Sequence, residues 1–239
     1  MGAISEGTKP VMPRGGTPVW SKTALPLALL AVLALWGTPV VYPLKIFVVF
    51  LHELSHGLAA VLTGGRIVEI TLSANQGGVC TTSGGWTWVI LPAGYLGSML
   101  WGGLILVAAA RTDRDQLISV LIGAVVLAVT VLFVRSWFGL LYGLSFGAGM
   151  ALLGAKAPRA ANDFVLKLIG LTSVLYAVLD IWSDLIARQI DCSDAGQMAR
   201  QFFGTPLLWG IVWIVAALAA AAFFLWWAAG HQRSRSPHA

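Results

Sequence analysis

Seven long apolar runs decide what this chain can become. They cover Ala24 to Tyr42, Lys45 to Thr63, Trp86 to Ala110, Gln116 to Val134, Trp137 to Ala155, Asp163 to Ala187 and Leu207 to Ala229. At a rise of about 1.5 Å per residue, roughly 20 helical residues cross a hydrocarbon core of about 30 Å. Inside lipid every backbone amide must be paired within its own segment, so runs of this length predict helices. Composition agrees, because 58% of the 239 residues are hydrophobic and only 10% charged, against about 25% charged in an average soluble domain. A soluble fold is excluded. The expectation is an all-α polytopic membrane protein with about seven transmembrane helices in one domain over residues 24–229, between a polar tail of residues 1–23 and a basic tail of residues 230–239. The positive flank before the first run also suits a signal peptide, but that run begins late and no clean small-x-small site follows, which favours a retained helix.

The formal net charge of +5 does not indicate nucleic acid, since the basic residues are scattered through short connections and form no stripe. They read as topological anchors beside a lipid bilayer. Lys9, Arg14 and Lys22 favour a cytosolic N-terminus, in a cell membrane. Cys80 and Cys192 stand apart with no C-x-x-C spacing, so neither a disulfide framework nor a thiolate zinc site is supported.

One segment departs from the helical pattern. In Arg66 to Gly85, the residues Ile67, Val68, Ile70 and Leu72 form a β-prone run, Asn75-Gln76-Gly77-Gly78 supplies turn chemistry, and Val79 to Ser83 returns. The pattern predicts a small membrane-associated β-hairpin after the second helix.

The second apolar run carries His52-Glu53-Leu54-Ser55-His56. Two imidazoles four residues apart lie on one helical face about a turn apart, which suits one Zn²⁺. Glu53, between them, is placed to act as general base on a water at such a metal. In a soluble helix this five-residue pattern often covers a solvated face. Within lipid two histidines and a glutamate each cost a few kcal/mol unless they face a partner, a cavity or a metal.

A catalytic zinc takes three protein ligands and keeps a position open. His231 and His238 fall in the tail, so the third ligand is sought among carboxylates. Asp180 and Asp184 share a face of the sixth run. His56 lies seven residues before Thr63, and Asp180 seven before Ala187. That spacing is about 10 Å of helix in each case and favours Asp180 as the ligand. Asp184 then either orients a ligand or is solvated at the helix end, and Asp194, in Cys192-Ser193-Asp194-Ala195, is the alternative ligand if that loop folds back.

With this motif in a membrane span, a Gly-rich hairpin after it and an aspartate in a later span, the sequence resembles the site-2 protease family of intramembrane zinc metallopeptidases. It is most similar to a short, PDZ-less, peptidase B-like branch. The likeness is carried by Gly64-Gly65-Arg66, Gly77-Gly78-Val79, Leu91 to Ser98, and Leu175 to Asp184 with Ser193-Asp194-Ala195. The resemblance implies one catalytic Zn²⁺ held by His52, His56 and Asp180, Glu53 as acid and base, and a substrate that is itself a transmembrane segment. The larger family usually has Gly after the later Asp, whereas Asp180 precedes Ile181.

A substrate helix has its carbonyls locked in internal hydrogen bonds, so it must be unwound before hydrolysis. The hairpin offers a strand edge for this, with Asn75, Gly78 and Val79 as candidate substrate contacts. A plain connecting hairpin is the other reading. A competing function is a non-proteolytic metal-binding protein or ion transporter using the same His and Asp residues.

Overall fold

The first apolar run is broken by Gly37-Thr38-Pro39, because a proline disfavours helical backbone at the residue before it. Helix α1 therefore covers only Ala24–Ala34, and turns lead on to α2, Tyr42–Leu62, with Pro43 in its first turn. The structure, a computed structural model, describes residues 24–183 and 193–230. The chain continues through strands β1 (Arg66–Leu72) and β2 (Gly78–Ser83) and helices α3 (Thr87–Arg111), α4 (Asp115–Phe133), α5 (Trp137–Lys156), α6 (Arg159–Trp182), α7 (Asp194–Gln201) and α8 (Pro206–Ala229). Among the described residues six helices, α2 to α6 and α8, are long and apolar enough to cross a membrane. Of the first of the seven expected spans, the described residues contain the 11-residue α1.

Helix α2 is the centre of the bundle. Ile46, Phe47, Val48, Phe50, Leu51 and Leu54 are all buried, although they point in different directions round the helix. A helix apolar on all sides belongs in the interior. Lipid tails are as apolar as leucine, so association here relies on close packing. Small residues supply it. A Cβ on Gly97 of α3 would strike Ser55 of α2, and one on Gly102 would strike Ser173 of α6. Helices α4 and α5 pack through Gly143 against Thr130 and Gly147 against Leu127. At the far end Arg159 of α6 pairs with Asp113 and with Asp115 (2.9 Å), tying the α3–α4 connection to α6.

The hairpin does not merely cover helix ends. It runs alongside α2, with Ile67 and Cys80 against Gly57, Gly78 against Glu53, and the Ala74 carbonyl in the turn accepting from the Tyr42 hydroxyl at 2.6 Å. Ile70 and Leu72 are buried while Val79, opposite Thr71, is exposed, as strand alternation requires, and a register shift between Ile67 and Glu69 leaves Val68 exposed as well. The strands are antiparallel, with Ile70 opposite Cys80 and Leu72 opposite Gly78. The outer edge of β1 is also occupied: the Arg135 N–H donates to the Ile70 carbonyl (3.0 Å) and the Leu72 N–H to Ser136 Oγ (2.9 Å). Val134 to Ser136, the break between α4 and α5, thus serves β1 as a short third neighbour.

Candidate metal centre

His52 and His56 stand one turn apart on α2, with ring centroids 4.7 Å apart. His56 Nδ1 lies 2.7 Å from the carbonyl oxygen of Ile90. A carbonyl only accepts, so Nδ1 carries a proton and Nε2 is the nitrogen turned towards the cluster, the usual way a ligating imidazole is oriented. The His52 ring is held edge-on against Tyr95, at 4.7 Å between centroids.

The third group comes from α7. Asp194 Oδ2 lies 3.1 Å from His52 Nε2 and 3.2 Å from His56 Nε2. Burial opposes the charge of the Asp194 carboxyl, but the two imidazoles hold it below the ordinary carboxylate range. Ser193 caps α7 by accepting from the Gly196 N–H at 3.2 Å, so Asp194 occupies the first helical turn and points at the histidines. Asp180 was the expected third ligand. That residue lies close enough to His52 to act on it electrostatically, but the cluster consists of His52, His56 and Asp194. Asp194 stands on a separate short helix, α7, whereas Asp180 lies near the described end of α6. Asp184 lies outside the described residues, as does Cys192.

Glu53 is buried beside the histidines at 6% exposure. Its carboxylate accepts the backbone N–H of Cys80, and Gly78 leaves the space it fills, since a Cβ there would come within 2.6 Å of Glu53 Oε1. Neither contact was foreseen from the sequence, where Gly78 stood out only as a turn and edge residue. The Cys80 thiol is pushed up to about 12 by burial and by the charge of Glu53. Of the other proposed substrate contacts, Asn75 sits in the hairpin turn, accepting from the Ser73 hydroxyl, and Val79 is 59% exposed.

The donor set can be tested against zinc. Ligands about 2.0–2.1 Å from a tetrahedral ion lie roughly 3.3 Å from one another. The separations of 3.1 and 3.2 Å between Asp194 and the two imidazoles match that spacing, and all three ligand atoms lie within 4.8 Å of one another. Gly94 of α3 faces the same point, and a Cβ on it would collide with Nε2 of both histidines. The absence of a side chain at position 94 preserves room where the three donors converge. Two neutral nitrogens and one carboxylate are a borderline-soft set that suits Zn²⁺.

No curated protein and no solved structure matches the chain. Residues 25–225 match the family described as Peptidase M50B-like, a span that includes every helix from α2 to α7, the hairpin and most of α8. A bundle of membrane-length helices with a His, His and Asp cluster is consistent with that match, and the chain belongs to this family of integral membrane metallopeptidases, the site-2 protease family.

Proposed function

We propose that this protein is an intramembrane zinc endopeptidase that hydrolyses peptide bonds of membrane-spanning substrates, with His52, His56 and Asp194 as metal ligands and Glu53 as general base and acid. The observation that carries this reading is the convergence of the three donor atoms beside Glu53 at a point that Gly94 leaves open. Zinc, when bound, supplies a Lewis acid and brings the pKa of water down to about 7. Glu53 takes the proton of the attacking water and returns it to the leaving amine. The Cys80 amide holds the Glu53 carboxylate in place, and burial shields it from bulk solvent.

Substrate presentation follows from the sheet. In an antiparallel ladder the non-hydrogen-bonded pairs turn their N–H and C=O groups outward. Ile70 and Leu72 direct theirs to Arg135 and Ser136, so their partners Cys80 and Gly78 direct theirs off the opposite edge, and the Cys80 N–H meets Glu53 there. An unwound substrate strand adding to β2 would lay its carbonyls beside the histidines.

The test is Glu53→Gln in the purified full chain, reconstituted with a candidate transmembrane substrate. The variant should keep its fold and bound zinc while cleavage falls by about 10²- to 10⁴-fold, the range for loss of a general base. Cleavage at the wild-type rate would overturn the reading.

A further inference from the structure

Helix α7 carries a metal-site carboxylate, yet little of its own sequence explains how it is held. It has 8 residues, of which only Ala195, Gly196 and Met198 are buried. Isolated helices shorter than about 12–15 residues are marginal in water, and the first two of these buried residues offer almost no side chain to pack. Met198, 1% exposed, holds its middle in a cluster with Leu91, Tyr95 and Trp213, and each end engages a further group. One end is Asp194 at the histidines. The other runs directly into Phe202 and Phe203, which meet two tryptophans from different helices.

Trp88, from the first turn of α3, has Phe202 edge-on at 4.9 Å and Trp209 edge-on at 5.2 Å. Phe203 packs against Trp209 at 5.2 Å, and Trp209 Nε1–H donates to the Phe203 carbonyl at 2.8 Å. Gly204, at φ +82°, reverses the chain between Phe203 and α8, a conformation that glycine adopts without strain. Aromatic pairs at these separations and edge-to-face angles are favourable beyond their burial. The cluster is also continuous with the site: Trp209 contacts Trp213 (6.3 Å), Trp213 contacts Tyr95 (5.6 Å), and Tyr95 packs on His52 (4.7 Å).

We propose that Trp88, Phe202, Phe203 and Trp209 form an aromatic clamp that positions α7 and thereby holds Asp194 within reach of the metal. These are positioning residues, which act on the ion only through Asp194. The inference rests on the metal centre proposed above and deepens it: the third ligand is delivered by a docked short helix, and the strength of docking sets the strength of metal binding. The α3 end of the clamp is six residues, about 9 Å of helix, from Gly94 at the ion's position, so neither tryptophan is needed as a ligand.

The experiment measures the zinc Kd of the detergent-purified full chain by competition with a chelator, together with the thermal midpoint of the zinc-free protein. The variants are Trp88→Leu, which removes the ring between Phe202 and Trp209, and Trp209→Phe, which keeps a ring but deletes the donor to Phe203. Each is made in the wild type and in an Asp194→Ala background, with Trp88→Phe as the conservative control. The expected result is a Kd raised about 10- to 100-fold by Trp88→Leu and Trp209→Phe, the range seen when a partner that orients a ligand is lost. Trp88→Phe should restore most of the affinity, the zinc-free midpoints should be similar, and in the Asp194→Ala background neither change should weaken zinc further. Equal weakening in both backgrounds, or none in either, would overturn the clamp. An Asp194→Ala protein with unchanged zinc affinity would instead overturn the metal centre itself.

Discussion

Gly94→Ala is the smallest change that tests the centre, because it alters no candidate ligand. The added methyl would collide with Nε2 of His52 and of His56. His56 cannot swing away without giving up the bond between Nδ1 and the Ile90 carbonyl at 2.7 Å, and His52 is backed by Tyr95. One imidazole must therefore leave the donor set when metal is present. Structural zinc sites with four ligands bind with about 10–16 kcal/mol in total, so a ligand accounts for roughly 3–4 kcal/mol. At about 1.4 kcal/mol per tenfold, the zinc Kd should rise by two to three orders of magnitude. The helix itself should not suffer, since alanine is favoured over glycine in a helix interior by up to about 1 kcal/mol. The assay is metal content after equilibration in a zinc buffer, paired with the helical circular dichroism of the zinc-free protein. Gly94→Ala protein that retains wild-type zinc affinity would refute the placement of the ion at this point. Loss of helical signal would show instead that α2 and α3 cannot separate to admit the methyl.

Three further outcomes follow from the same geometry. Asp194→Ala should raise the zinc Kd by about two to three orders of magnitude whereas Asp180→Ala should leave it near the wild-type value, and the reverse order would restore the ligand expected from helix depth. Gly78→Val should displace the Glu53 carboxylate and lower kcat at least tenfold with zinc content unchanged; equal kcat would mean that Glu53 needs no such space. The folded protein keeps the proton of Cys80 up to about 12, while the unfolded chain releases it from an ordinary value of 9.0, so stability should fall as pH rises through that window. Thermal midpoints from pH 9 to 11 should drop more steeply for wild type than for Cys80→Ala, and parallel slopes would remove this linkage.

Several features of the fold are legible in the residues because their causes are local. Helical spans of membrane length announce themselves by unbroken apolar character, and six of the seven runs form such helices. The exception was also written locally, in the proline at position 39 that ends the first helix early. The β-prone run through Ile67, Val68, Ile70 and Leu72 and the turn residues after it marked the hairpin. The motif on α2 needed only helical spacing. The third carboxylate was different, because His52 and Asp194 are separated by 142 positions and no periodicity connects them. One signal was present: Ser193 followed by Asp194 is a helix-start pattern, an N-cap residue with an acid in the first turn, and it marks a short helix that a count of long spans passes over. The approach of the Cys80 amide to Glu53 depends on the hairpin lying along α2, which the strand pattern alone does not specify.

The contact between β1 and the break at Val134 to Ser136 has a consequence for self-association. A two-stranded ribbon has two bare edges, and each unpaired edge invites pairing with any other exposed strand. The Arg135 N–H donating to Ile70 and the Ser136 hydroxyl accepting from Leu72 remove that liability at these positions on one side. The ribbon is left single-sided, so two copies of the protein cannot stack into a growing ladder: once one guest backbone has joined β2, this ribbon has no second vacant margin to extend.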